Sequence, residues 1–187
     1  TAKGVTVALL EVLTRCYRRP QMLMANISSL MAQSISDWEQ VFLVDPVGLG
    51  IGASYKRLAH YAPTGEWVWI LDDDDVCIYD GLTEDVARIA REQPETQVIM
   101  VRMDHGSELG VLPDEHVWQK EPVMGHLGVS SYIVRRDVWQ RHKAAFASGT
   151  YASDFDFIAD VWCEQPVVVW HDVVASRVQR ISHGATE

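Results

Sequence analysis

The sequence is short of positive charge. Sixteen Lys and Arg stand against 26 Asp and Glu, a formal net charge of −10 over 187 residues. Such a surface repels phosphate backbones and anionic lipid, so nucleic acid and membrane surfaces are excluded as default partners. Cysteine is scarce and odd in number. Cys16, Cys77 and Cys163 stand at no metal-ligand spacing, which excludes a disulfide frame and reads as reduced thiols in a cytoplasmic protein. Long apolar runs are missing too. The one near the start, residues 5–13, is broken by Thr6 and Glu11, and a membrane span needs roughly 20 apolar residues. No integral membrane segment is therefore expected and no signal peptide is visible. The start at Thr1 instead of Met leaves room for a trimmed upstream segment. Apolar residues reach 48%, which excludes disordered and fibrous classes. The length predicts one compact domain with a large core.

Two features are plentiful. Seven tryptophans are many for this length, and Trp serves both packing and stacking on ligands. Four acids are consecutive, Asp72, Asp73, Asp74 and Asp75.

Hydrophobic patterning predicts alternating strands and helices. Residues 5–12, 41–44, 67–71 and 98–101 read as buried strands. Residues 20–33, opening on Pro20, read as a helix with Met22, Leu23, Ile27, Leu30 and Met31 on one stripe. Residues 53–61 and 82–91 read as helices, separated by a Pro63-Thr64-Gly65 turn. This β-α-β-α-β-α-β order predicts an α/β fold, a mostly parallel sheet with helices on both faces. Residues 103–127, with His105, His116 and His126, show no period. Residues 129–134 read as a strand, 137–145 and 153–163 as helices with Ser153 at an N-cap, and 167–170 as a last strand before a polar tail. No repeat or linker divides the chain. Residues 1–102 form a binding half and 103–187 a catalytic half of one domain.

The acidic run follows a buried strand, and ligands of open α/β sheets bind at the carboxyl ends of strands. In extended backbone, Asp72 and Asp74 point the same way. Two converging carboxylates repel, so one keeps a proton or a cation bridges them. Mg²⁺ or Mn²⁺ suits such oxygen ligands and can hold phosphates. The bland alternative is a solvated turn leading into the helix near residue 82. Two enzyme classes place Asp-x-Asp after a strand. Asp72 to Val76 fits the Asp-x-Asp-x-Thr/Val of haloacid-dehalogenase phosphatases. Their motif ends the first strand, however, whereas here two strand–helix units precede it and no later Gly-Asp pair follows.

The second class carries the wider resemblance. Cys16-Tyr17-Arg18-Arg19-Pro20 resembles a Thr-Tyr-Asn-Arg-Pro motif, with Cys16 and Arg18 as departures. Val44-Asp45 resembles Val-Asp-Asp-Gly-Ser, with one Asp before Pro46. Thr64-Gly65-Glu66-Trp67 resembles Gly-Glu-Tyr, and Leu71-Asp72-Asp73-Asp74-Asp75 resembles Leu-Asp-x-Asp-Asp. Ser153-Asp154-Phe155-Asp156 resembles Glu-Asp-x-Asp, with Ser153 in place of Glu, and the tail from Arg177 to His183 resembles Tyr-Arg-x-His. In this order and spacing, the sequence resembles the GT-A-fold, Rossmann-like glycosyltransferases of the large inverting family 2.

That resemblance implies a metal-dependent transfer of a sugar from a nucleoside-diphosphate donor, UDP foremost, to a glycan or other hydroxyl acceptor with inversion. It implies that Asp45 meets the donor base, with Thr14 and Arg15 near it, and that Arg57 and Lys56 meet phosphate or ribose. Asp72 and Asp73 are expected at the ribose or sugar. Asp74 and Asp75 are expected to bind Mn²⁺ or Mg²⁺, with His183 as third ligand ahead of His171. Arg177 and Arg180 are expected at the diphosphate. Asp154 is expected as the base, with Asp156 as runner-up; both also suit the first turn of a helix as plain stabilisers. Trp118 and Trp139 are expected to be free to contact sugar, while Trp67, Trp69 and Trp162 pack. The chain is short for this family, so a homo-oligomer or a further segment is expected to complete the acceptor side. The alternatives are a phosphatase with Asp72 as nucleophile and a non-catalytic nucleotide-sugar binder.

Overall fold

β1 (Leu10–Cys16) is buried along its whole length, as a strand covered on both faces must be. Parallel to it on one side runs β2 (Trp38–Val44), and on the other β3 (Trp67–Ile70). These strands belong to a computed structural model that describes residues 7–106 and 109–179. The other strands are β4 (Asp75–Cys77), β5 (Val98–Asp104), β6 (Val111–Leu112), β7 (Tyr132–Arg135) and β8 (Val168–Val178). Together they form one eight-stranded sheet ordered β2-β1-β3-β7-β5-β8-β4, with β6 paired to β5. β1, β2, β3, β5 and β8 run one way, while β4, β6 and β7 run the other. The architecture is the expected α/β one with a mostly parallel sheet.

Period-two alternation sorts the strand side chains between two cores. Val68 and Ile70 of β3 face one cluster with Val98 and Met100 of β5. Trp67, Trp69 and Leu71 face the other with Ile99 and Val101. The first face is covered by α2 (Ile51–His60), α4 (Arg136–His142), α5 (Ser153–Trp162) and the 3₁₀ turns after α4, with Phe146 stacked on Phe157 at 4.7 Å. The second face is covered by α1 (Pro20–Met31) and α3 (Leu82–Glu92). Helices on both faces are what a core of this kind demands. Among the described residues, no helix is long and apolar enough to cross a membrane.

Several expectations are corrected. β1 begins at Leu10 and runs to Cys16, so Thr14 and Arg15 lie inside the strand. Met31 is 73% exposed, and the position that α1 buries beside Leu30 is Asn26. Residues 129–131 form a 3₁₀ turn ahead of β7. Ala152, not Ser153, is the N-cap of α5, and Ser153 Oγ bonds Ser148 Oγ at 2.8 Å. The last strand runs to Val178 because it pairs with β5 and then with β4. Partners across the sheet, rather than an apolar run, define that strand.

One buried acid shapes the entrance to β3. Glu11 is fully buried and accepts bonds from the Tyr61 hydroxyl at 2.5 Å and the N–H groups of Thr64 and Gly65, each at 2.6 Å. A side chain at Gly65 would put its Cβ 2.6 Å from Glu11 Cβ. The Pro-Thr-Gly turn is thus pinned against β1 by a carboxylate that only glycine lets close enough.

Candidate functional site

The parallel strands β1, β2 and β3 end together. Asp45 N bonds the Cys16 carbonyl at 2.9 Å, and Asp73 N bonds the Arg15 carbonyl at 3.2 Å. A cleft of about 510 Å³ opens at these carboxyl ends, where α/β sheets bind ligands. The acidic run turns there instead of staying extended, and Asp75 N bonds the Asp72 carbonyl at 2.9 Å. Asp72 and Asp74 line the cleft. Asp73 and Asp75 are buried behind them.

Arginines hold this turn from the cleft side. Arg15 Nε donates to Asp72 Oδ1 at 2.7 Å, and its Nη2 donates to Oδ2, a two-bonded fork. The guanidinium lies over the Tyr55 ring, 4.1 Å from its centre. Arg19 spans two carboxylates, one Nη on Asp73 and the other on Asp74. Asp73 also accepts from Tyr17 N at 3.0 Å. Burial raises the Asp73 carboxyl despite these partners.

A polar frame holds the turn from beneath. Asn26 Nδ2 donates to the carbonyls of Asp72 at 2.9 Å and Asp75 at 3.0 Å. Gln40 Nε2 donates to Asn26 Oδ1 and to Thr14 Oγ1, both at 2.7 Å. Gln179 joins from β8's end: its N bonds the Asp74 carbonyl at 2.7 Å, and its Nε2 the Asp73 carbonyl at 3.2 Å. Each otherwise orphaned carbonyl of a tight buried turn thereby finds a donor.

Asp45 sits in the cleft wall. It accepts from Gly48 N at 3.0 Å and Gly50 N at 3.2 Å. Burial opposes its charge, but these N–H groups prevail and hold its carboxyl below the usual range. Gly48, at φ +74, leaves room for Tyr17, whose hydroxyl would stand 2.3 Å from any Cβ there. Cys16 lines the cleft, and its thiol is pushed up to about 12 by burial and then by Asp73 and Asp72, so it is no nucleophile at neutral pH.

Asp154, in the first turn of α5, lies close enough to Arg15 and Asp72 to feel both charges. Burial raises its carboxyl above the ordinary value. Burial outweighs the lowering by the Phe155 N–H and by Arg15. Its Oδ1 accepts from Phe155 N at 2.8 Å, and its carbonyl accepts from the Tyr132 hydroxyl at 3.1 Å.

Other expected residues stand elsewhere. Thr14 is fully buried in the frame beneath the turn and does not reach the cleft. Asp75 is buried facing Ser130, with its carboxyl raised well above the usual range by burial and then by Asp72 and Asp74. Arg57 donates to the Val44 carbonyl. Asp156 turns toward Ser148, 3.3 Å away. His171 pairs with Asp85 of α3 at 2.7 Å, six residues before Arg177 and roughly 20 Å along β8. Arg177 pairs with Asp104 at 2.8 Å, beside a separate hollow. Arg180 and His183 lie outside the described residues. Trp139 is 1% exposed, and Trp118 packs edge-on to Trp170 at 5.1 Å, so neither is free for sugar. Arg19, Asn26, Gln40 and Gln179 escaped sequence reasoning. A polar Asn26 on the apolar stripe of α1 was the available signal for the frame.

The fit of Mn²⁺ or Mg²⁺ can be judged from the donors. Among the described residues, no group of three or more His, Cys, Asp or Glu side chains stands ready to hold a metal ion. Guanidinium groups take Asp72, Asp73 and Asp74, and Asp75 faces inward. Among the described residues the carboxylates, held as they are by Arg15 and Arg19, do not fit the ion.

No protein-family model and no curated protein matches the sequence. Solved structures do match. Residues 1–349 of S. aureus TarS align over 91% of this chain and 60% of theirs, with TM-score 0.68 and 15% identity. The mannosyltransferase PcManGT of Pyrobaculum calidifontis, in complex with GDP-Man and Mn²⁺, aligns over 96% of this chain and 59% of its own, with TM-score 0.65 and 12% identity. A glycosyltransferase involved in glycosylation of the major capsid of PBCV-1 aligns over 95% of this chain and 94% of its own, with TM-score 0.58 and 12% identity. The chain thus spans about three fifths of the first two. With a cleft at the carboxyl ends of its first three strands and these neighbours across nearly its whole length, the chain has a GT-A-like glycosyltransferase fold.

Proposed function

We propose that this chain is a glycosyltransferase that moves a sugar from a nucleoside-diphosphate donor to a hydroxyl acceptor with inversion. One observation carries the reading. Near the Arg15–Asp72 fork, close enough to feel both charges, stands a half-buried carboxyl, Asp154, which burial holds above its ordinary pKa. A raised carboxylate is a better base near neutral pH than an ordinary one. In the proposed reaction Asp154 takes the acceptor's hydroxyl proton while that oxygen attacks the anomeric carbon opposite the departing diphosphate. Asp72, held by Arg15, contacts the ribose or sugar, and Asp45 and the glycine loop face the base. Asp156, Arg57 and Arg177 carry weaker proposals, because each is turned to another partner. UDP is the first donor to test, since TarS was crystallised with UDP and with UDP-GlcNAc. The hexosyl class of the sugar, a homo-oligomer completing the acceptor side, and a cytoplasmic setting are part of the proposal. The unpaired cysteines support the last.

A second reading adds a divalent ion to the donor, supported by the Mn²⁺ in the PcManGT complex. It requires Arg19 to leave Asp74. The test of the main reading is calorimetry with UDP followed by UDP release from UDP-sugars. UDP binding and turnover are expected, with Asp154→Asn silencing turnover while UDP still binds. Binding without turnover over a range of acceptors would favour the non-catalytic binder, and hydrolysis of p-nitrophenyl phosphate without UDP binding would favour the phosphatase.

A further inference from the structure

Three acids of the turn are already engaged by the chain's own arginines. Arg15 takes both oxygens of Asp72, and Arg19 bridges Asp73 and Asp74. The cleft is lined by three arginines, Arg15, Arg18 and Arg19, against three acids, Asp45, Asp72 and Asp74. A lone acidic run would repel a diphosphate, whereas this balanced wall does not.

The arginines also carry unused donors. Arg15 Nη1 and Arg19 Nε are buried without any hydrogen-bond partner. The Arg15 side chain is only 9% exposed, so water does not readily serve it. Buried orphan donors on cations are costly and rare, and an anion entering the cleft would supply their acceptors. Planar guanidinium forks suit phosphate oxygens.

Arg18 adds an independent sign. Its φ is +50°, a left-handed conformation uncommon outside glycine, asparagine and aspartate. Strain of this kind persists where the surroundings use it. Its guanidinium sits 5.3 Å from the centre of the Tyr17 ring at the cleft rim. Among the described residues Arg18 forms no ion pair, so its charge is uncommitted.

Resting on the glycosyltransferase reading, we propose that Arg15, Arg18 and Arg19 together form the cation that receives the donor's diphosphate, so that donor binding needs no divalent ion. Asp72, Asp73 and Asp74 then serve as the frame that aims the guanidinium groups. Asp72 and Asp74 hold them on the cleft side, and buried Asp73 fixes Arg19 from behind.

Calorimetry with UDP and with uridine, each in EDTA and in Mn²⁺, tests this. UDP is expected to bind in EDTA with a Kd within about threefold of that in Mn²⁺, and uridine far more weakly. Arg18→Ala removes an exposed side chain without an ion pair, so the fold is retained. It is expected to weaken UDP by about tenfold or more while leaving uridine unchanged. Arg19→Lys keeps the charge and loses the fork, and is expected to weaken UDP in EDTA as well. UDP binding that appears only with Mn²⁺, or an Arg18→Ala protein equal to the parent, overturns the proposal and leaves the glycosyltransferase reading standing. Failure of uridine, UDP and GDP to bind under either condition overturns both.

Discussion

Two arginines in this molecule are built alike and end differently. Arg15 of β1 and Arg102 of β5 are both buried, and both lie over an aromatic ring, Tyr55 at 4.1 Å and Trp118 at 4.2 Å. Arg102 has a partner for every nitrogen: Asp172 at 2.5 Å, the Pro113 carbonyl at 2.9 Å and Glu115 at 2.8 Å. It ties the irregular stretch after β5 to β8 and leaves nothing unspent. Arg15 is satisfied on one edge by Asp72 and carries a buried, unpartnered Nη1 on the other. A fully bonded buried cation is a structural clamp, while one with an orphan beside a cleft is waiting for an anion.

That contrast can be broken by experiment. The largest effect is expected on the Arg15 side of the cleft. Asp154→Asn should lower the turnover of sugar transfer by about 10²–10⁴-fold, the usual worth of a positioned base, with UDP affinity retained in calorimetry. An unchanged rate would remove Asp154 from the reaction.

Arg15→Met should come next. It keeps the stacking on Tyr55 and loses the charge, so UDP affinity is expected to fall by at least about tenfold, roughly 1.4 kcal/mol. Arg102→Met should do the reverse. Chemical denaturation is expected to show a loss of about 1–3 kcal/mol from the lost hydrogen bonds, while UDP affinity stays at the parent value. If Arg102→Met weakened UDP as much as Arg15→Met, the distinction between clamp and receptor would fail.

The smallest effect is on stability against pH. Asp154 is raised above its ordinary value near 3.8. Between that value and the raised one, the folded chain binds more protons than the unfolded chain. Stability from this group is therefore greatest below the ordinary value and is lost as pH rises through the folded one. Asp154→Asn should be slightly more stable than the parent at neutral pH in thermal melts, with the gap closing in acid. The same carboxyl, acting as base, should make transfer fall on the acid side at a pH above the ordinary carboxylate range.

The contrast also marks how far the sequence could be read. The second and third strands and the first two helices were legible because burial there follows local periods, while β1 was placed too early. Trp67 to Leu71 alternates between two cores, and Pro20 opens α1 as its locked φ allows. The acidic run was legible as the end of a buried strand because an apolar stretch precedes it, but its turn, closed by Asp75 N on the Asp72 carbonyl, was not. β8 was read too short, since His171, Asp172 and Arg177 interrupt its apolar pattern while its hydrogen bonds come from β5 and β4. The metal expectation met its obstacle in Arg19, whose two partners lie 54 and 55 residues away.

The sequence by itself determined the alternation of strands and helices, the negative balance, and the placing of the acidic run at the carboxyl end of a buried strand. These follow from periodicity and composition, which act over a few residues. Only the tertiary structure decided which charges meet: that Arg15 forks Asp72, that Arg19 spans Asp73 and Asp74, that Thr14 belongs to a buried frame, and that His171 answers to Asp85. A side chain's ionic partner is set by what the sheet brings within 3 Å, and no local pattern carries that distance.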